Sequence, residues 1–199
     1  MITRPILRLS SNPRSSNRFV KAVEKRLPAL QGPSVKVSFL PALTAGARKL
    51  YSNRKFGQPV HAATFIRKRK IVLDQELARR PRELARILTH ELFHFVWVRL
   101  SNQSRHSYEV LVLNEWKRHT RGELGWSAES RKTALSRTPR GIARRPKYWR
   151  EYLCESFCDT AAWFYSGVRR HKEFTLPQRS RKKRAEWFRA AFPAGKIPI

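Results

Sequence analysis

Residues 84–98 read LARILTHELFHFVWV, and this stretch decides how the rest of the chain is understood. Set on a wheel of 100° per residue, its apolar side chains lie on nearly every side, which is the pattern of a buried helix. Pro81 suits the first turn, so the helix is predicted over 82–100. Buried polar groups need partners. Here those groups are His90, Glu91 and His94, in the order H-E-x-x-H.

Residues i and i+4 of a helix lie one above the other, so both imidazoles can reach one metal ion. Glu91 stands one step round, where its carboxylate can take a proton from a water on a Zn²⁺ ion. Two histidines do not complete a zinc site, and a third protein ligand is expected. The candidates stand in a second predicted helix, over 146–166, whose sequence includes KYWREYLCESFCDTAAWFYSG with Gly167 at its end. Glu151, Glu155 and Asp159 recur at four-residue intervals there and repel one another on a bare helix. A divalent cation or a group of arginines is needed opposite them. Asp159 is also one of only two aspartates in the chain.

His90-Glu-Leu-Phe-His94 followed by Glu155-Ser-Phe-Cys-Asp159 resembles the gluzincin pattern, an HExxH helix joined to a downstream ExxxD helix. The Cys before the Asp is most similar to the membrane metallopeptidases that sense β-lactams and to the small minigluzincins. The resemblance covers residues 62–100 and 146–167. It implies an α+β, zincin-like fold, with a small sheet and edge hairpin packed on the HExxH helix and the glutamate helix. It implies a Zn²⁺ held by His90, His94 and Glu155, Glu91 as general base and acid, and Asp159 orienting a ligand histidine. It further implies an edge strand that pairs with an extended protein or peptide substrate, with Ile71, Val72 and Leu73 in that place. If the register is one turn off, Glu151 replaces Glu155. The His94-to-Glu155 gap is longer than in the simplest members. A donor for the developing oxyanion is not fixed among Tyr148, Tyr152, Tyr165, His119 and His171.

Outward from these helices, 34–40 alternates as a strand and 44–51 suits a short helix. Residues 62–73 suggest a hairpin with strands at 64–66 and 71–73. Segment 101–145 reads as a partly ordered insertion, with a short helix from Ser127. A basic arm is expected over 1–33, with an amphipathic helix at 18–27, and a basic tail over 169–199, with a helix at 180–192. The metallopeptidase-like domain would then be 34–168.

The 199 residues carry 43 Lys+Arg against 14 Asp+Glu, a net charge of +29. Such a balance favours polyanions, so non-specific nucleic-acid binding is the alternative function, with a structural metal site, or combined with proteolysis in a tethered enzyme. The charge is uneven: residues 71–100, which hold the motif, carry five basic and four acidic side chains. No apolar run is long enough for a membrane span. The N-terminus lacks a secretory h-region. Cys154 and Cys158, four apart, form no disulfide framework and suit a reducing cytoplasm, as small apolar residues on one helix face. Oligomeric state is not legible.

Overall fold

The computed structural model describes residues 6–9, 14–47, 49–54, 56–137, 146–193 and 197–199, with only the backbone of 14–17 and 146. The fold is mixed α and β. Its main sheet has four strands: β1 (Leu7–Leu9), β3 (Val35–Leu40), β8 (Lys70–Asp74) and β7 (Ala62–Phe65), in that order. The first three are parallel, with Leu7 opposite Val35 and Val37 opposite Ile71. β7 runs antiparallel to β8, with Thr64 opposite Ile71. Helix α1 (Arg14–Glu24) makes the crossover from β1 to β3 and buries Val20 and Val23. It leads to β2 (Leu30–Gln31), and residues 43–59 form a separate small sheet: β4 (Leu43–Gly46), β5 (Lys49–Ser52) and β6 (Gln58–Pro59).

After β8, Asp74 accepts from the Glu76 amide and caps a single 3₁₀ stretch, Gln75–Arg79. Its other oxygen accepts from the Leu43 amide at 2.8 Å, tying the small sheet to the large one. Helix α2 (Pro81–Trp97) then packs on β7 and β8 and lies along helix α5 (Pro146–Tyr165). Between them come α3 (Asn102–Lys117) and α4 (Trp126–Ser136), followed after α5 by α6 (Gln178–Ala191) and β9 (Ile197–Pro198). The core joins Ile71 and Leu73 of the sheet to Leu84, Leu88, Phe93 and Phe157 of the helices. Stacked and edge-on rings, such as Phe157 on Phe188 at 5.0 Å, extend it to α6.

Several expectations are corrected here. The described part of 1–33 is not a free arm: β1 pairs in the main sheet, and Glu24 accepts from the Ile6 amide at 2.8 Å; residues 1–5 and 10–13 lie outside the described residues. Residues 169–193 and 197–199 are not a free tail, since α6 buries Ala185 and Phe188 and β9 pairs with β2. Residues 101–137 are no insertion, because Tyr108, Val112, Ala128 and Leu135 belong to the core; 138–145 lie outside the described residues. Residues 44–47 and 49–51 belong to two antiparallel strands and their turn, not to a helix. Gly46 disfavours a helix interior, and Ala47, at φ 47°, supplies the left-handed turn that closes the strands. Strand β8 is interior, paired on both sides, so Ile71, Val72 and Leu73 are not the edge. Their near-complete burial on both faces is what an unbroken Ile-Val-Leu run signifies in a central strand. The edge strand is β7.

Candidate metal centre

Helices α2 and α5 bring His90, His94 and Glu155 together. One donor atom from each lies within 4.8 Å of the other two. Glu151, one turn earlier, is in no such group among the described residues. His90 is gripped on both sides. Its Nδ1 is 2.7 Å from Asp159 Oδ1, and its Nε2 is 3.2 Å from Glu155 Oε2. A neutral imidazole has one N–H and can satisfy only one of these carboxylates. A cation between Nε2 and Glu155 resolves the conflict, and so does a proton. Two tetrahedral zinc ligands, one N and one O, stand about 3.4 Å apart. The observed spacing fits the metal.

The electrostatics express the same demand for positive charge. Burial disfavours the charged form of His90, but Asp159 and then Glu155 outweigh it and hold its pKa well above the ordinary histidine value. Burial raises the Glu155 carboxyl, yet the His90 contact overcomes that and brings it to about 2. The second Glu155 oxygen faces Arg131 of α4 at 3.3 Å.

Asp159 is itself held by α4. Its Oδ2 accepts from the Ala128 amide at 2.9 Å, in the first turn of that helix, where unpaired amides favour an anion. Gly125 makes the approach close enough. A Cβ at that position would lie 2.3 Å from the Asp159 carboxylate carbon. Glu91 is fixed from the sheet side: Thr64 Oγ1 of β7 donates to its Oε2 at 2.6 Å and to its main-chain oxygen at 3.1 Å.

A cleft of about 420 Å³ opens beside His90, Glu91 and Asp159, whereas His94 and Glu155 are not among the residues that line it. His61, Ala62, His90, Glu91, Trp126 and Asp159 are among the residues that line it. The end of the free edge strand β7 therefore forms one wall. Arg86 reaches the opposite side, its guanidinium paired with Glu83 and with both oxygens of Glu173. Glu173 in turn accepts from the Trp126 amide, and the Trp126 ring is 69% exposed at the rim.

The metal-ligand residues expected from the sequence, with Glu91 and Asp159, are thus brought together. The five oxyanion candidates are not: none of them lines the cleft. Tyr152 donates to Glu123, Tyr165 stacks on Phe93, and His171 pairs with Glu83. Tyr148 is exposed away from the cleft, and His119 lines a separate hollow beside Trp116. The cleft groups with donors are instead His61, Arg86, Trp126 and Ser127. Gly125, Ala128 and Thr64 also escaped the sequence reading. Gly125 carried the one available signal, as a glycine next to a predicted helix start. No family model matches this chain, and no curated protein or solved structure gives a significant match.

Proposed function

We propose that the protein is a zinc-dependent metallopeptidase of gluzincin type with a zincin-like fold, hydrolysing peptide bonds in the cleft over α2. The observation that carries this reading is the convergence of His90, His94 and Glu155 from two helices, with Asp159 at 2.7 Å behind His90. These three side chains would hold the ion. Zinc in such a site supplies Lewis acidity, which makes a water nucleophilic near neutral pH and polarises the substrate carbonyl.

The chain's own groups do the rest. Asp159 holds the proton on His90 Nδ1 and leaves Nε2 free as a ligand. Glu91 takes a proton from the attacking water on its carboxylate and returns it to the departing amine. Thr64 keeps that carboxylate against the cleft. Among the described residues β7 is the end strand of the main sheet, where an extended peptide would add as a further strand.

Purified protein should contain about one zinc per chain and cleave an unfolded protein substrate. Glu91→Gln should keep the zinc and lose cleavage, while His90→Ala should lose both. Absence of zinc from the wild type, with cleavage unaffected by either change, would end the proposal.

The charge favours a second, compatible reading, in which nucleic acid tethers the enzyme. Both aspartates are buried, and Glu115, Glu123 and Glu155 are turned inward. The acids therefore neutralise little of the outer surface of a chain with net charge +29. Affinity should be independent of sequence and fall steeply with salt. Among the described residues no helix is long and apolar enough to cross a membrane.

A further inference from the structure

Behind the hydrolytic triad lies a second set of donors that share one of its residues. His94 Nδ1 is 3.5 Å from Cys154 Sγ and 3.5 Å from Cys158 Sγ. The two cysteines are free thiols, one turn apart on α5. The two thiols also contact each other, so His94 Nδ1 and the two sulfurs close on one another as a three-membered donor cluster. A tetrahedral metal fits all three donors at once. With Zn–S near 2.3 Å and Zn–N near 2.05 Å, the N-to-S edge of the tetrahedron is about 3.6 Å. The three donor atoms all lie within 4.8 Å of one another. Cys154 and His94 each keep part of their surface open, which gives an ion a way in, while Cys158 closes the inner side.

We propose that His94 Nδ1, Cys154 and Cys158 form a second metal site, selective for a soft d¹⁰ cation, which shares the His94 imidazole with the first. The donor chemistry separates the two. One nitrogen and two sulfurs prefer a thiophilic ion such as Cd²⁺ or Cu⁺, whereas two nitrogens and a carboxylate suit hydrolytic zinc. Each thiol enters as thiolate and releases its proton to solvent. Filling both sites at once also requires His94 to release its N–H proton, so an ion at the thiols competes with one at the triad. The proposal goes beyond the peptidase reading and stands even for a protein that cleaves nothing.

Cadmium is the probe, because its thiolate complexes absorb in the ultraviolet. Titrating wild-type protein with Cd²⁺ should give a saturable thiolate-to-cadmium band and shield the partly exposed Cys154 from a thiol reagent under native conditions. Glu155→Gln should keep the band, since that change removes a ligand only from the first site. Cys154→Ser and Cys158→Ser should each weaken Cd²⁺ binding at the thiols at least tenfold. The idea is overturned if bound Cd²⁺ gives no thiolate band and disappears in Glu155→Gln. It is equally overturned if the band survives both serine variants. Should a serine variant not fold, protection of Cys154 in the wild type decides alone: a Cys154 that reacts equally with and without Cd²⁺ refutes the site.

Discussion

Replacing Arg184 by Met should destabilise the protein more than an ordinary surface arginine change by an order of magnitude. Arg184 sits on α6 with a fully buried side chain. Its guanidinium contacts Glu115 at 2.6 Å and Glu123 at 2.8 Å, and reaches Thr160 of α5 at 3.2 Å. One residue therefore clamps α3, the 122–124 segment, α5 and α6. After its removal Glu123 keeps Lys132 at 3.0 Å and the Tyr152 hydroxyl. Glu115 pairs with no other cation among the described residues. Leaving one partner of a buried pair uncompensated costs about 3–5 kcal/mol, and a domain of this size loses about 2–4 °C per kcal/mol, so Tm should fall by about 6–20 °C.

Acid gives this prediction a signature of its own. Burial raises the Glu123 pKa, but Arg184 and then Lys132 outweigh that and depress it. A depressed carboxyl contributes stability that is present above its unfolded value, about 4.3, and is lost as pH falls through the lower folded value. The wild type should therefore hold this contribution in full above about pH 4.3 and lose it progressively below that. In Arg184→Met, burial of Glu123 is no longer opposed by the guanidinium, so its carboxylate takes up a proton at higher pH and the deficit shrinks on acidification. Thermal unfolding followed by circular dichroism at pH 7 and pH 5 measures both effects. A Tm change under about 2 °C, or a deficit equal at the two pH values, would refute the reasoning.

Gly125→Ala should lower Tm by the cost of overpacking, about 1–3 kcal/mol, because its Cβ meets the Asp159 carboxylate; it should also weaken zinc binding, read by competition with a chromophoric chelator. Asp159→Asn, which removes the anion behind His90, should reduce zinc affinity about 10–100-fold in the same assay. Thr64→Val should leave zinc content unchanged and lower kcat, since it frees Glu91 without touching a metal-ligand candidate. Nucleic-acid affinity, measured by fluorescence anisotropy, should drop by orders of magnitude between 50 and 200 mM salt if six or more phosphates are contacted.

What the sequence revealed and what it hid divide along physical lines. The helices holding His90 and Glu155 were legible because their apolar period and end signals are local. The hairpin of β7 and β8 was legible for the same reason. The order of strands was not, because Leu7 finds its partner at Val35 and nothing local marks a three-residue strand as paired. The Ile71–Leu73 run held a clue that was misread: three successive apolar residues indicate cover on both faces, which an edge strand does not need. Arg184 lies in a run of basic residues, and only acids more than sixty positions away distinguish it from its neighbours. The role of Gly125 is equally remote, since it depends on a carboxylate from another helix.

The reach of Arg184 also has a bearing on how the protein is made. A chain emerging from the ribosome presents His90 and His94 early, but Glu155 follows 61 residues after His94 and Arg184 later still. Until α6 is released, Glu115 and Glu123 lack their shared guanidinium, and Glu115 in particular resists burial. Translation order thereby makes the packing of α3 and α5 against α6 a late step of folding, since the guanidinium that neutralises Glu115 arrives only with α6.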